Sequence, residues 1–391
     1  MRILMITDVY FPRINGVSTS IQSFRQPLEA QGIDVHIVAP SYLTPHKNDA
    51  GITRVPARQV PFDPEDRLMN FQALQQALER IDLGSFDLVH IQTPFAAHYA
   101  ALRYARRHRI PCIATYHTHF EEYLYNYIPV VPKPVLRSFA RTLARRQCNT
   151  LDAVIVPSTA MQETLSGYGV TAPLHRVPTG IPVAHFGATS QLAITTFRQR
   201  FDIPSDAALA LFVGRAAHEK NIGFLLDALS YALDAAPNLM MVIAGEGPAL
   251  PSLRHQAAKL AITDHVRFVG YLDRQSELPT CYAAAQVFVF SSRTETQGLV
   301  LLEAMAAGLP VLAFAALGTR EIVEPCRGAL PAPQDPLAFG KTLADLANNP
   351  HRREVMSIEA RHFAAEWSTE ACSRRLAETY RTVFEQHGRR F

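Results

Sequence analysis

Short apolar runs, each followed by a helical pattern, fill the first half of this chain, and the same rhythm starts again in the second. Ile3-Leu-Met-Ile6, Val35-His-Ile-Val38, Leu88-Val-His-Ile91, Ile113-Ala-Thr-Tyr116 and Ala153-Val-Ile-Val156 read as strands, with a helix over Thr19–Gln31 between the first two. Leu209–Val213, Leu239–Ala244, Val266–Val269 and Gln286–Phe290 repeat the pattern, with a helix near 221–235. Runs of this kind suit parallel strands buried on both faces and joined by crossover helices. At 391 residues the chain is too long for one compact core. The expectation is therefore two doubly wound α/β domains, over 1–182 and 191–368, followed by a C-terminal helix within 369–391. Val177-Pro-Thr-Gly-Ile-Pro182 and a polar stretch to about Gln191 read as the linker. Two such domains facing each other would leave a cleft at the carboxyl ends of both sets of strands. Leu376, Tyr380 and Phe384, at four-residue spacing, predict that the last helix packs on a domain surface.

Composition is that of a soluble globular protein, with 48% hydrophobic and 19% charged residues. Met1-Arg-Ile-Leu-Met-Ile runs as a strand into a loop, so no signal peptide is expected. The five cysteines are scattered, odd in number and form no CxxC pair. They read as reduced thiols in a cytosolic protein, against a zinc site or a disulfide framework.

Residues 298–318 are nearly continuous apolar sequence, long enough to suggest a membrane span. Glu303 in its middle, the Gly308-Leu-Pro310 break and the flanking strand patterns argue against a span and for a buried helix. Upstream, Ser291-Ser-Arg-Thr-Glu-Thr-Gln-Gly298 reads as the turn between a strand and that helix. Backbone amides at a helix start make a phosphate site. Glu295 would lie in the loop before them and Glu303 one turn in, sharing a face with Leu299. Carboxylates there would repel a phosphate, but they suit the hydroxyls on either side of it, a sugar ring and a ribose. An incidental buried Glu303 is the plainer alternative.

Gly214-Arg215-Ala-Ala-His-Glu-Lys220-Asn221 follows the first strand of the second half. Arg215 and Lys220 straddle a loop and could both reach one diphosphate, neutralising it as it departs and making a separate metal unnecessary. A solvated charge pair is the alternative. Gly245-Glu-Gly247-Pro is a tight turn and not a GxGxxG fingerprint, because Leu250 stands where the third glycine would be. In the first half, Asn15-Gly16 lets the backbone approach a ligand, and Ser18 or Thr19 could cap the following helix. An ordinary strand-to-helix turn explains that loop equally well. Thr115-Tyr-His117-Thr-His119-Phe-Glu-Glu122 ends a strand, and an imidazole there could bond a sugar hydroxyl or the reacting acceptor. A metal at these histidines lacks an evident third ligand.

Net charge is only +3 but unevenly placed. Between Glu122 and Asp152 there is no acidic residue, while Lys133, Arg137, Arg141 and Arg145 recur every fourth position. Leu136, Phe139 and Leu143 lie on a neighbouring face, and the aromatic stretch Tyr123–Val131 precedes the helix. The pattern suits an anionic membrane surface, or else a solvated helix face.

Taken together, the Asn-Gly-Val loop, Gly-Arg…Glu-Lys-Asn, Gly-Glu-Gly-Pro and the paired glutamates resemble the family 4 glycosyltransferases, of the GT-B fold. The resemblance runs from the Asn-Gly-Val loop to Glu366-Trp367, nearly the whole chain. Thr294–Ala306, Asn15–Ser20 and Tyr116-His-Thr118 look more narrowly like a bacterial branch that adds glucose or mannose to diacylglycerol-type lipids. The resemblance implies two facing Rossmann-like domains and a retaining hexosyltransferase. Glu303 would hold the donor ribose; Glu295, with the Thr296, Gln297, Gly298 and Leu299 backbone, would hold the donor sugar and diphosphate. Arg215 and Lys220 would bind the diphosphate, with Gly16 approaching from the other domain. His117 would sit at the reaction centre, and Val269-Gly-Tyr-Leu272 would flank the base. Pro182 departs from the family, which often carries Asp there.

The expected partners are a nucleotide sugar of UDP-glucose or GDP-mannose type and a lipid or glycolipid acceptor. An anionic membrane surface would meet Lys133, Arg137, Arg141 and Arg145. No cofactor, metal or nucleic acid is expected, and the protein would work in the cytoplasm at the inner face of the membrane. A nucleotide-sugar epimerase of the same fold, or a catalytically idle nucleotide-sugar-binding subunit, are the rival readings.

Overall fold

The computed structural model describes residues 1–42, 50–60, 63–81, 86–117, 133–187 and 189–388. They divide into two units: Met1–Gly180 with Thr369–Phe391, and Ile181–Ser368.

Unit 1 is built on a parallel seven-stranded sheet, ordered β3-β2-β1-β6-β7-β8-β9. Its strands are β1 (Arg2–Ile6), β2 (Asp34–Pro40), β3 (Ile52–Val55), β6 (Leu88–Ile91), β7 (Cys112–Thr115), β8 (Ala153–Val156) and β9 (Leu174–Arg176). An antiparallel hairpin, β4 (Ala57–Val60) and β5 (Asp63–Met69), stands apart from it. The five apolar runs expected in this half all become strands, and all lie in the sheet's centre. The first helix, Gly16–Ala30, begins earlier than expected, because Asn15 caps it rather than Ser18 or Thr19. Asn15 Oδ1 accepts from the Val17 and Ser18 amides, and Ser18 Oγ accepts from the Asn15 amide at 2.9 Å. That reciprocal pair satisfies donors the helix start would otherwise leave open.

Unit 2 repeats the plan with six parallel strands, ordered β12-β11-β10-β13-β14-β15. They are β10 (Ala208–Val213), β11 (Leu239–Ala244), β12 (Val266–Gly270), β13 (Val287–Phe290), β14 (Val311–Ala313) and β15 (Ala329–Pro331). The apolar stretch from 298 to 318 resolves into the buried helix Leu299–Ala306 and β14. Among the described residues no helix is long and apolar enough to cross a membrane.

Two expectations change at the unit boundaries. Part of the presumed linker is structure: Val183–Phe186 is helical, and Phe186 is buried edge-to-face on Tyr282, 5.6 Å between ring centres. The last helix, Thr369–Gly388, belongs to unit 1 and buries Cys372, Leu376, Ala377, Tyr380 and Val383 beside Ile3 and Ile113. Phe384 instead stays 44% exposed. The chain thus leaves unit 1 after Gly180 and returns to it at Thr369.

In both sheets the strand order reverses once, between β1 and β6 and between β10 and β13. Where the order reverses, neighbouring loops leave in opposite directions and open a crevice beyond the strand ends, which is where open α/β sheets bind ligands.

Candidate active site

The reversal point of unit 2 carries the motif loops. The loop 214–221 leaves β10, and 291–298 leaves β13. Tight backbone contact fixes the first. Gly245 stands where a Cβ would come within 1.9 Å of Gly214 O, and the Ala216 amide donates to Glu246 O at 2.8 Å. The Gly-Glu-Gly-Pro turn therefore braces the Arg215 loop, a role that needs glycine for its small size. Ser291 Oγ donates to Asn221 O at 2.9 Å, tying the second loop to the first. The Gly318 amide donates to Glu295 O at 2.9 Å and supports it from behind.

Across these loops Lys220 Nζ pairs with Glu295 Oε1, both side chains keeping about a fifth of their surface exposed (21% and 17%). Arg215 is exposed at the end of β10. Gln297 is buried and Thr296 partly so. Gly298, at φ +91°, turns the chain into the helix Leu299–Ala306, and no side chain caps that start. A left-handed φ of this size is the reason for glycine here. The structure thus brings together Lys220 and Glu295 beside an uncapped helix start, an arrangement that combines a cation with backbone donors for an anion.

Glu303 lies on the helix that follows, at the position expected for a donor contact. Its side chain is fully buried. Arg274 Nη2 donates to one carboxylate oxygen and Tyr282 OH to the other, the latter at 2.9 Å. The Glu303 charge holds the Arg274 pKa up, and burial pushes the Tyr282 phenol well above its usual range. The sequence suggested a ribose ligand or an incidental buried carboxylate; the structure shows a carboxylate enclosed by two partners. Neither Arg274 nor Tyr282 was singled out. The available signal was Glu303 itself, since a buried carboxylate in an apolar helix requires a cation or donors nearby.

In unit 1 the corresponding loops surround a largely apolar cavity of about 120 Å³. Val9, Asn15, Phe95, Tyr116, His117 and Gln147 are among the residues lining it. Gly16 is the first residue of the helix behind Asn15, with open space at its Cβ position. His117 Nε2 bonds Gln92 Oε1 at 2.8 Å, at the end of β6. An amide oxygen only accepts, so Nε2 carries the proton and Nδ1 is the acceptor. Burial lowers the His117 pKa to about 4, which keeps the ring neutral at pH 7. Gln92 was also missed, being one unremarkable polar residue after an apolar run.

Behind His117, His90 bonds Tyr380 OH and Thr115 Oγ1, both at 2.7 Å, and burial lowers its pKa to about 3. Asp8, at the end of β1, accepts from Thr93 Oγ1 at 2.7 Å and from the Ala97 amide at 3.1 Å through one oxygen. Its other oxygen is buried without a partner, and burial raises its pKa to about 6. His119, Glu121, Glu122 and Tyr123–Val131 lie outside the described residues.

The basic helix is Lys133–Cys148, with Arg137, Arg141 and Arg145 exposed. Its expected apolar face splits: Leu136 is buried in unit 1, whereas Phe139 is 58% exposed.

Two facts define the class of protein: a pair of doubly wound units, and an anion-type site at the reversal point of the second. Comparison with known proteins agrees. The family Glycosyltransferase Family 4 matches residues 14–185, and Glycosyl transferases group 1 matches 193–363. An alpha-monoglucosyldiacylglycerol synthase of Streptococcus pneumoniae is 35% identical over 319 residues, 80% of this chain and 71% of that protein. A GDP-mannose-dependent alpha-mannosyltransferase of Mycobacterium tuberculosis is 30% identical over 373 residues, 92% of this chain and 91% of the relative. Among solved structures, Anabaena HepE in complex with UDP and glucose superposes with a TM-score of 0.78 at 17% identity, covering 98% of this chain and 100% of the other. The chain belongs to the group 1 and family 4 glycosyltransferases, and its fold is GT-B.

Proposed function

We propose that this protein is a retaining hexosyltransferase that moves a hexose from a nucleotide sugar, of UDP-glucose or GDP-mannose type, to a hydroxyl of a membrane lipid or glycolipid such as diacylglycerol. The observation that carries the reading is the Lys220–Glu295 pair beside the uncapped Gly298 helix start, at the reversal point of unit 2. A donor diphosphate fits the Lys220 ammonium, Arg215 and the first amides of that helix, which would stabilise negative charge as the glycosidic bond to phosphate breaks. Glu295 then takes hydroxyls of the transferred sugar. Glu303 holds the ribose only if its enclosure by Arg274 and Tyr282 opens when donor binds. In unit 1, neutral His117, bonded to Gln92, would meet the acceptor at the reaction centre without adding charge. Retention means that the incoming hydroxyl attacks the face from which the diphosphate departs. No metal is needed in this scheme, since the cations are supplied by side chains.

The lipid side of the proposal draws on the diacylglycerol synthase named above and on the exposed arginines of helix Lys133–Cys148. The same two points support peripheral attachment to a membrane, which we place at its cytoplasmic face. The test is turnover of labelled UDP-glucose and GDP-mannose by purified protein with diacylglycerol-containing vesicles, followed by assignment of the product's anomeric configuration. An α-linked glycolipid is expected. An epimerised donor, release of free sugar only, or no reaction would each overturn the reading, and a β-linked product would overturn retention.

A further inference from the structure

Helix Ala96–His108, which follows β6, begins without a local cap. Its N-cap position is Phe95, which has no side-chain oxygen and makes no capping bond. Ser, Thr, Asp and Asn are preferred there because their oxygens answer an open amide. Here a remote residue supplies the bond. Asp8, 89 positions away, accepts from the Ala97 amide at 3.1 Å and, through the same oxygen, from Thr93 Oγ1 at 2.7 Å. Thr93 Oγ1 in turn accepts from the Asp8 amide at 2.7 Å, so the turn is pinned twice to the end of β1. Burial raises the Asp8 pKa to about 6 and leaves its second oxygen without a partner. A serine at position 95 could answer the same amide at the surface without that cost. A phenylalanine at this position therefore serves something other than the helix.

Phe95 is 45% exposed and lines the same cavity as His117. Gln147 fixes the turn on either side of it, donating to Pro94 O at 2.8 Å and to Tyr99 OH at 3.3 Å. Polar groups of the lining are committed within the protein, Thr93 to Asp8, Thr115 to His90 and Gln92 to His117. Among the described residues no carboxylate, lysine or arginine lines the cavity. Sugar hydroxyls would leave water there for few bonds in return, whereas alkyl carbons gain by burial. An apolar cavity of roughly 150 Å³ takes a benzene ring. One of about 120 Å³ has room for about five carbons on the same scale.

We propose that Phe95 is an acceptor-contact residue, walling a pocket for the first few carbons of an alkyl chain beside the reacting hydroxyl. Asp8 is the positioning residue that caps the helix in its place and holds turn 93–95 at the cavity. The inference rests on the proposed function for the nature of the acceptor, a lipid hydroxyl, but the pocket can be tested without turnover.

Full-length protein, free of donor, is titrated with 1-hexanol and followed by its methyl resonances. Shifts are expected at Val9, Ile91, Leu151 and Val154, and Phe95→Ser should weaken the binding at least fivefold. No shift at these methyls would overturn the pocket. The second measurement is transfer to diacylglycerols with acyl chains of two to eight carbons. For the parent, acceptor KM should fall at least tenfold as the chains lengthen to about five carbons and then level off. Phe95→Ser should flatten that dependence, with donor KM within twofold of the parent. Turnover with a KM indifferent to chain length, or a dependence that Phe95→Ser leaves intact, overturns the pocket while the proposed function stands. Hexanol binding without transfer to any diacylglycerol means the reverse: the acceptor reading falls and an alkyl pocket remains. Asp8→Ala should raise acceptor KM at least fivefold at unchanged donor KM, and Asp8→Asn, whose Oδ1 still accepts, should restore it. Hydrogen exchange at the Ala97 amide should quicken in Asp8→Ala and slow again when Phe95→Ser is added, with no recovery of acceptor KM. Exchange that stays fast in the double variant, or an Asp8→Ala effect shared equally by donor and acceptor, would overturn the positioning role of Asp8.

Discussion

The two units treat their buried polar groups in opposite ways. Unit 2 keeps charges and pairs them, Lys220 with Glu295 and Arg274 with Glu303. Unit 1 keeps its histidines neutral: burial lowers the pKa of His90 to about 3 and of His98 and His117 to about 4, and it raises that of Asp8 to about 6. A charged environment suits a diphosphate, and a neutral one suits a hydroxyl and the apolar body of a lipid. The contrast therefore fits the proposed division of labour, with donor on unit 2 and acceptor on unit 1. Unit 2 holds a second contrast, since Lys220–Glu295 is partly open whereas Glu303 is sealed. An open ion pair can exchange partners with a ligand; a sealed one must first rearrange.

Acid should break the first contrast most strongly. A histidine whose folded pKa is lowered contributes stability that is present above its unfolded value of 6.5 and is lost as pH falls towards the folded value. From pH 7 to 5 each of His90, His98 and His117 should cost about 2 kcal/mol. Asp8 acts in the opposite sense. Its raised pKa penalises the folded state above pH 6, so the same acidification returns about 1.5 kcal/mol. The expected result is a net loss of about 4–5 kcal/mol, concentrated in unit 1. Urea unfolding at pH 7 and pH 5, followed by hydrogen exchange to assign the transition, checks this; equal loss in both units would refute it.

Glu303→Ala should come next, with a loss of about 2–3 kcal/mol from unit 2, because a fully buried carboxylate is removed from a half-buried Arg274 and a buried Tyr282 hydroxyl. Adding Arg274→Met should recover more than half of that loss. If the single variant folds as stably as the parent and only donor affinity drops, Glu303 is an open ligand after all.

Lys220→Ala sharpens the inner contrast. Its partner is partly exposed, so stability should change by less than about 1 kcal/mol, while kcat should fall by about a hundredfold through lost charge stabilisation. A fall confined to stability would make Lys220–Glu295 a structural pair. The smallest effect is expected from metal removal. Turnover in EDTA should match turnover in magnesium, and a requirement for divalent ions would contradict the assignment of diphosphate neutralisation to Lys220 and Arg215.

Much of this architecture was legible in the sequence, for reasons of length and burial. Strands buried on both faces, such as β1, β6, β10 and β13, appear as unbroken apolar runs, and these flank the reversal points that position the loops. Strands β9, β14 and β15 have only three residues each, too few for a pattern, and were not anticipated. The same limit applies to side-chain partners. Glu295 and Lys220 announce themselves as charges beside glycines at strand ends. Arg274 and Tyr282 lie 29 and 21 positions from Glu303 and meet it only through the fold. Gln92 reaches His117 in the same way, across 25 positions. Asn15 took the helix cap from Ser18 and Thr19 because an Asn side chain can reach the amides two and three positions on while its own amide is answered by Ser18.

The central claim is that unit 2 is built for a nucleotide sugar, and thermal unfolding against a panel of UDP-, GDP- and ADP-hexoses tests it most directly. A ligand at 100 times its Kd adds about 2.7 kcal/mol to the folded state, which in a domain of this size raises the midpoint by about 5–10 °C. The account predicts that one donor class gives such a shift and that Lys220→Ala abolishes most of it. No shift with any nucleotide sugar, or a shift that Lys220→Ala leaves intact, would contradict it.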